Sequence, residues 1–429
     1  MTSSEAQKSV LEGNGMCLYA WGANSYSQLC LQHKHDETVP TQCVIPHELF
    51  NLESISQITG GAGHTVIVTG DGCVFVAGWN RDGQLGLGYC GGDDVVMLTR
   101  VPCVMKVRSV TCGWNHTLAI MDNGDVLAWG SNCYGQLGID VPNKQCSVPT
   151  KVANLPACGT IAAAAGVRHS LAIADDGTLW AWGNNKRQQL GMDTGRETKQ
   201  ALPTQVMFPS GVFLKQVSAG FYHSVAVSDD GRLFAWGCNR HGQCGICQPS
   251  DIVSRESQSK SSCCRAVAGA ASQSERAQNV VSVPTEICGS IQQVCVTEVY
   301  CGWSHSFAVS NERRVFAWGR ADYGQLGVTF EDLPSTICTP TEVECLKGVQ
   351  KMCCGSEHNL AVMNDSRLVS WGWNEHGMCG TGDAINRNSP SPVTITETDV
   401  KSYRTLAIGC GAGHSLALLS HTTTQHHKL

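Results

Sequence analysis

Short runs of alternating apolar and polar residues recur along the chain, and they come in pairs. In "AGFYHSVAVSDDGRLFAWGCNRHGQCG" (219–245), "HSVAVS" alternates, Asp230-Gly231 follows, and "RLFAWG" alternates again. Two alternating runs about an Asp-Gly turn predict a β-hairpin. Asp71-Gly72, Asn123-Gly124 and Asp176-Gly177 stand at the same offset, whereas Glu312-Arg313 and Asp365-Ser366 depart from it, which predicts another turn type there. No stretch carries the 3.6-residue period of a long helix.

Two markers give the pairs a register. Gly-x-x-His places histidines at His64, His116, His169, His223, His305, His358 and His414, with spacings of 52, 53, 54, 82, 53 and 56 residues. Each of the first six is followed 14 residues later by a glycine (Gly78, Gly130, Gly183, Gly237, Gly319, Gly372), preceded by tryptophan except at Ala77. A Gly-Gln-Leu-Gly element or a variant such as "GQCG" or "GMCG" comes next. A repeat of about 53 residues made of short strands suits one four-stranded propeller blade. Seven markers predict an all-β, seven-bladed β-propeller.

The chain's ends complete each other. His414 has no Trp-Gly after it, and Trp21-Gly22 has no Gly-x-x-His before it. Residues 410–419 are therefore expected to pair with residues 16–22, so that both termini share blade seven and two open sheet edges disappear. The wide spacing of 82 reflects residues 251–283, rich in Ser, Ala and Gln. Their composition predicts a disordered surface insertion. The domain reading is a disordered N-terminus (1–15), a propeller (16–420) and a C-terminal tail (421–429).

Composition narrows the function classes. The net charge is -6 and no Lys/Arg block occurs, so the electrostatic footprint of a nucleic-acid binder is missing. The first fifteen residues are polar, with Lys8 the one lysine, and no apolar run reaches the roughly 18 residues needed to span a bilayer. Without a secretory route the 24 cysteines are expected to be thiols. There is no phosphate-loop Gly-x-x-x-x-Gly-Lys and no Gly-x-Ser-x-Gly elbow.

"CGWNHTLAIMDNGDVLAWGSNCYGQLG" (112–138) resembles the repeat of the regulator-of-chromosome-condensation family, and the resemblance runs from about residue 16 to 420. It implies a seven-bladed propeller whose last blade is built from both termini. "WGRADYGQLG" (318–327), "CGSEHNLAV" (354–362) and "SWGWNEHGMCG" (370–380) resemble members that exchange guanine nucleotide and are tied to secretion. That resemblance implies a guanine nucleotide exchange factor for a Ras-superfamily small GTPase, cytoplasmic and nuclear, working with secretory or exocytic machinery. The basic tail by which the chromosome-bound member meets chromatin has no counterpart, so no direct nucleic-acid partner is expected.

What recurs in every blade serves the fold; what varies is the candidate site. The seven histidines lie one per blade on a ring, too far apart for zinc, which needs nitrogen ligands at about 2.1 Å. They are read as structural, with no metal and no cofactor. The residue before each histidine varies, and in the related family that turn faces the GTPase. By position this nominates Asn115, Arg168, Tyr222, Ser304 and Glu357 as partner contacts, with Glu357 or a neighbouring acid expected to compete for the GTPase's phosphate-binding lysine. Exchange needs no covalent catalysis, so no catalytic residue is assigned. The alternative reading is a non-catalytic propeller that docks secretory or signalling proteins.

Overall fold

The structure, a computed structural model, describes residues 15–421 apart from 47, 103–105, 141–142, 196, 248–278, 329–333 and 396–402. Among the described residues, twenty-eight strands, numbered β1 to β28 along the chain, form seven four-stranded antiparallel sheets. These are the blades of a propeller: residues 55–100, 107–151, 160–206, 214–286, 296–342 and 351–392 for blades 1 to 6. Blade 7 has the order β2-β1-β28-β27, with β1 (Met16–Gly22) and β2 (Glu37–Gln42) from the N-terminus and β27 (Tyr403–Cys410) and β28 (His414–His421) from the C-terminus. Its register runs from Met16↔Ser420 to Gly22↔His414, the pairing expected from the sequence.

The 14-residue offset is the register of a hairpin: His64 faces Gly78, His169 faces Gly183, His305 faces Gly319. Glycine is required there, because a Cβ on Gly130 would lie 2.4 Å from the carbonyl oxygen of Asn115. The turns at Glu312-Arg313 and Asp365-Ser366 differ from expectation. Arg313 and Ser366 adopt φ of 59° and 67°, as Gly231 does at 85°, and their N–H groups bond Ser310 and Met363 as Gly231 bonds Ser228. All are three-residue loops closed by a left-handed residue. The turn type is kept, and the side chain is strained into it. A second difference concerns the insertion. β18 (Val280–Glu286), the outer strand of blade 4, begins inside residues 251–283, because Val-Pro-Thr (283–285) repeats the signature of outer strands at 39–41 and 148–150. Residues 251–278 lie outside the described residues, as do 1–14 and 422–429 of the assigned termini.

Outer edges are guarded. Pro40, Pro149, Pro203, Pro284, Pro340 and Pro390 occupy one position of the outermost strands, and Leu98 replaces proline in blade 1. Proline offers no N–H for edge-to-edge pairing.

The blades are joined by a buried polar belt. Each ring histidine gives Nε2 to the residue after the histidine of the next blade: His64 to Thr117, His116 to Ser170, His169 to Ser224, His223 to Ser306, His305 to Asn359, His358 to Ser415 and His414 to Thr65, at 2.9–3.3 Å. Those hydroxyls in turn donate to a backbone carbonyl of the loop one blade back, as Ser170 does to Gln136 at 2.7 Å. The same carbonyl accepts the indole N–H of the fully buried tryptophan, Trp182 at 2.9 Å. Asn359 fixes the direction of proton donation. Its Nδ2 donates to the Gln325 carbonyl, leaving Oδ1 as a pure acceptor facing His305, so Nε2 carries the proton. Every ring Nδ1 is then bare, and none has a hydrogen-bond partner.

Removing residues 1–24 takes β1 from blade 7 and strips β28 of its partner. The product is expected to lose its single cooperative thermal transition and to elute as aggregates on size exclusion. A monomer with unchanged melting would refute the shared blade.

Burial holds five of the ring histidines neutral. It lowers His64 to about 4, and lowers His116, His169, His223 and His414 to about 3, against 6.5 when unfolded. A folded value below the unfolded one gives stability that is complete above pH 6.5 and is lost as pH falls toward 3–4. Melting temperature is therefore expected to drop steeply below pH 6.5, with uptake of about five protons on unfolding near pH 5. Calorimetry in buffers of different ionisation enthalpy measures that uptake, and a value near zero would contradict the neutral belt.

Candidate functional site

Within a blade, the loop between the first and second strands and the loop between the third and fourth emerge at one end of the sheet. All Gly-x-x-His turns and all Gly-Gln-Leu-Gly loops thus share one face of the ring. Loop shape is set from within. Asn80 Oδ1 accepts the N–H of Leu85 and Asn185 Oδ1 that of Leu190, both five residues on, while Gln84 and Gln189 side chains accept the N–H two residues back. The asparagines at the head of these loops are turn formers. Gln188 and Ser27 stand where the other five loops have glycine, and take φ of 59° and 63°.

The five nominated residues do lie on this face, but they differ in freedom. Asn115, Arg168, Tyr222 and Ser304 are partly exposed. Asn115 Nδ2 reaches Asp82 of the preceding blade at 2.8 Å, and the Arg168 guanidinium sits 4.6 Å over the Tyr134 ring. Tyr222 packs on Phe221 at 4.3 Å. Glu357 corrects the expectation. It is 4% exposed, its Oε2 accepts from Gln325 Nε2 at 2.7 Å, and Arg320 and His305 nitrogens stand 3.7 Å from its oxygens. A carboxylate so enclosed braces blades 5 and 6 and is not available to compete for a partner's lysine. The sequence could not disclose this, because the enclosing groups come from a loop 32 and more residues earlier.

The face also holds residues that the second variable position does not reveal. The first variable position carries Trp114, Phe221 and Trp303, where other blades have Ala62, Val167, Ser356 and Ala412. The Trp114 and Phe221 rings both lie 5.1 Å from Trp303, forming a partly exposed aromatic platform over the mouth of the central channel. Three large aromatics at a position otherwise filled by small residues was the available signal. Around the platform, Arg81, Lys186, Arg187 and Arg240 are exposed on the loops of blades 1, 3 and 4. Asp322 and Glu375 are exposed on those of blades 5 and 6. The face is therefore electrically lopsided, with an aromatic centre. Among the described residues no helix is long and apolar enough to cross a membrane.

Comparison with known proteins agrees with this architecture. The RCC1-like domain profile matches residues 17–417. The chain is 36% identical to the secretion-regulating guanine nucleotide exchange factor of Mus musculus, over 94% of this chain and 83% of that protein. The Bos taurus protein of the same name is also 36% identical, over 94% and 82%. Among solved structures, yeast RCC1 (Prp20) bound to Kap60 superposes with a TM-score of 0.79 at 22% identity, covering 99% of this chain and 93% of that one. Saccharomyces cerevisiae Prp20p, described with its binding to Gsp1p and histones, gives 0.76 at 20%, covering 99% and 96%. With its seven blades, its belt and its shared seventh blade, the chain belongs to the RCC1-like domain family.

Proposed function

We propose that the protein is a guanine nucleotide exchange factor for a Ras-superfamily small GTPase, acting in regulated secretion from the cytoplasm and nucleus. The observation that carries this reading is identity of 36%, spread over 94% of the chain, to the secretion-regulating guanine nucleotide exchange factor of Mus musculus. The face bearing the Gly-x-x-His turns is the docking surface. Its aromatic platform supplies the large, rigid side chains that dominate binding energy at interfaces. Arg168, Tyr222 and Ser304 flank that platform, and Asn115 adjoins it.

Exchange requires no covalent step. The factor binds the nucleotide-free GTPase more tightly than the loaded one, and reciprocity then weakens the nucleotide by the same factor. The protein's part is to hold a preformed surface. Arg168 is stacked on Tyr134 and Asn115 is tied to Asp82, so these side chains lose little freedom on docking. The lopsided charge orients the incoming partner, its acidic side toward Lys186, Arg187 and Arg240. Exocytic proteins are the downstream partners in this reading.

Release of fluorescent GDP from a panel of small GTPases tests the proposal. One GTPase is expected to release nucleotide faster with the factor present. Tyr222→Ala and Trp303→Ala should each reduce that rate about tenfold or more at sub-saturating factor, the loss of an interface anchor, without lowering the melting temperature much. No acceleration anywhere in the panel would leave a docking platform in place of an exchange factor. Lys186→Glu with Arg187→Glu is expected to slow association and flatten its dependence on salt. Stopped-flow mixing at two ionic strengths reads this, and an unchanged salt slope would place the partner elsewhere.

A further inference from the structure

At the inner wall, each blade presents two residues to the seam with the next: the residue two before the glycine of Gly-x-x-His and, across the seam, the residue one before that glycine. In two seams the contact is a hydroxyl against a cysteine. Thr59 hydrogen-bonds Cys112, and the Cys301 N–H donates to Ser218 Oγ at 3.0 Å. The seam between blade 6 and the shared blade 7 differs. Cys353, on β23 (Lys351–Cys354), faces Cys410 at the end of β27, with the two Sγ atoms 3.0 Å apart and unbonded. No other seam has cysteine at both positions.

We propose that Cys353 and Cys410 are a reversible disulfide site that hydrogen peroxide closes, tying blade 6 to the blade that seals the ring. The two sulfurs already lie closer than unbonded contact usually allows, so a small side-chain rotation brings them to bonding distance. Both residues line a central channel of about 430 Å³, which a molecule the size of peroxide can enter. The pair is chemically unequal. Burial opposes ionisation of Cys410, yet the hydrogen bond from Cys353 and the neighbouring His358, whose bare Nδ1 can take up the thiol proton and whose charge then favours the thiolate, outweigh it together with Ser415 and bring the thiol down to about 6. Burial, and then the bond to Cys410, push Cys353 well up. At the same position in other blades, burial drives Cys112 and Cys301 up to about 12.

Cys410 is therefore the attacking thiolate and Cys353 the resolving thiol. The Cys410 sulfur attacks one peroxide oxygen, the O–O bond breaks, and a sulfenic acid forms as hydroxide leaves and takes up the thiol proton as water. The Cys353 sulfur, giving up its proton, then attacks the Cys410 sulfur. The S–S bond forms, the S–O bond breaks and a second water departs. Two thiols lose two hydrogens and two electrons; one peroxide becomes two waters. A thiol reductant reverses the bond.

The test treats the full chain with limiting hydrogen peroxide, blocks free thiols under denaturing conditions and maps the peptides by mass spectrometry. The expected result is a peptide pair joining Cys353 to Cys410, two hydrogens lighter than the separate peptides and separated by dithiothreitol. The melting temperature of the oxidised protein should rise by a few degrees over the reduced protein. Cys353→Ser copies Ser218, and Cys410→Ala copies Ala165 and Ala219, so both have precedent in this fold; each should abolish the link and the rise. Linkage of Cys353 to Cys354, or Cys410 carried to sulfinic acid with no link, overturns the proposal, and the wild-type map alone decides this if a variant fails to fold.

Discussion

The protein depends on a ring of hydrogen bonds that passes from blade to blade without a free end. A buried polar group left unpaired costs about 1–3 kcal/mol, so the Nε2 of each histidine and each hydroxyl and carbonyl of the belt are held by finding a partner. Here every partner belongs to a different blade. The Gln136 carbonyl takes a hydroxyl and an indole from blade 3, and the Ser170 hydroxyl takes a histidine from blade 2. A single blade therefore cannot satisfy its own core, and even six blades leave the link from His414 to Thr65 open. Sharing blade 7 between the termini makes completion of the belt and closure of the chain the same event. Ala77 marks the tolerance of this scheme: with no indole in that blade, the Gln28 carbonyl takes the Thr65 hydroxyl and, at 3.8 Å, the Cys30 thiol.

How much of this was readable beforehand depends on the distance over which each feature is determined. The blade register was legible because a hairpin fixes it locally: the 14 residues from His414 would reach Lys428, and the glycine that actually faces His414 is Gly22. The tryptophans and histidines were legible as scaffold because they recur. The turn at Glu312-Arg313 was misread because left-handed backbone is a conformation, and composition records only the residue that adopts it most cheaply. Arg313 is held in place by bonds to the Val349 and Gln350 carbonyls and to Glu298, none of them neighbours in sequence. Glu357 was misread for a related reason. Its position on the rim is local, but the direction of its carboxylate is set by Gln325 and Arg320 from the blade before.

That dependence on the preceding blade is general on this face. Asn115 leans on Asp82, Arg168 on Tyr134, and a Cβ on Gly63 would meet the Tyr26 ring at 2.5 Å. The rim is an interlocked surface in which a residue's reach is measured against its neighbour's loop. Backbone bonds stitch the mouth in the same way, from Phe221 to Trp303, Trp303 to Ser356, Ser356 to Ala412, Ala412 to Gly61 and Ala62 to Trp114. Among the described residues this stitching does not cross Val167. The aromatic platform lies over that gap, with Trp303 touching rings on both sides of it.

Stiffness around the ring is therefore uneven, and the unevenness separates two kinds of position. Between blades 5 and 1 the mouth is held by backbone, and the residues there are small or inward-facing: Ser356, Glu357, Ala412, Gly413. Between blades 2 and 4 it is held by side chains, and those side chains are large, partly exposed and flanked by basic loops. A surface that must bind a partner needs accessible anchors, and a surface that must keep a split blade closed needs bonds independent of the partner. In this chain the two demands fall on opposite arcs of one face. On the proposed docking surface, contact with a partner loads Tyr222 and Trp303 without drawing on the bonds that hold β1 against β28.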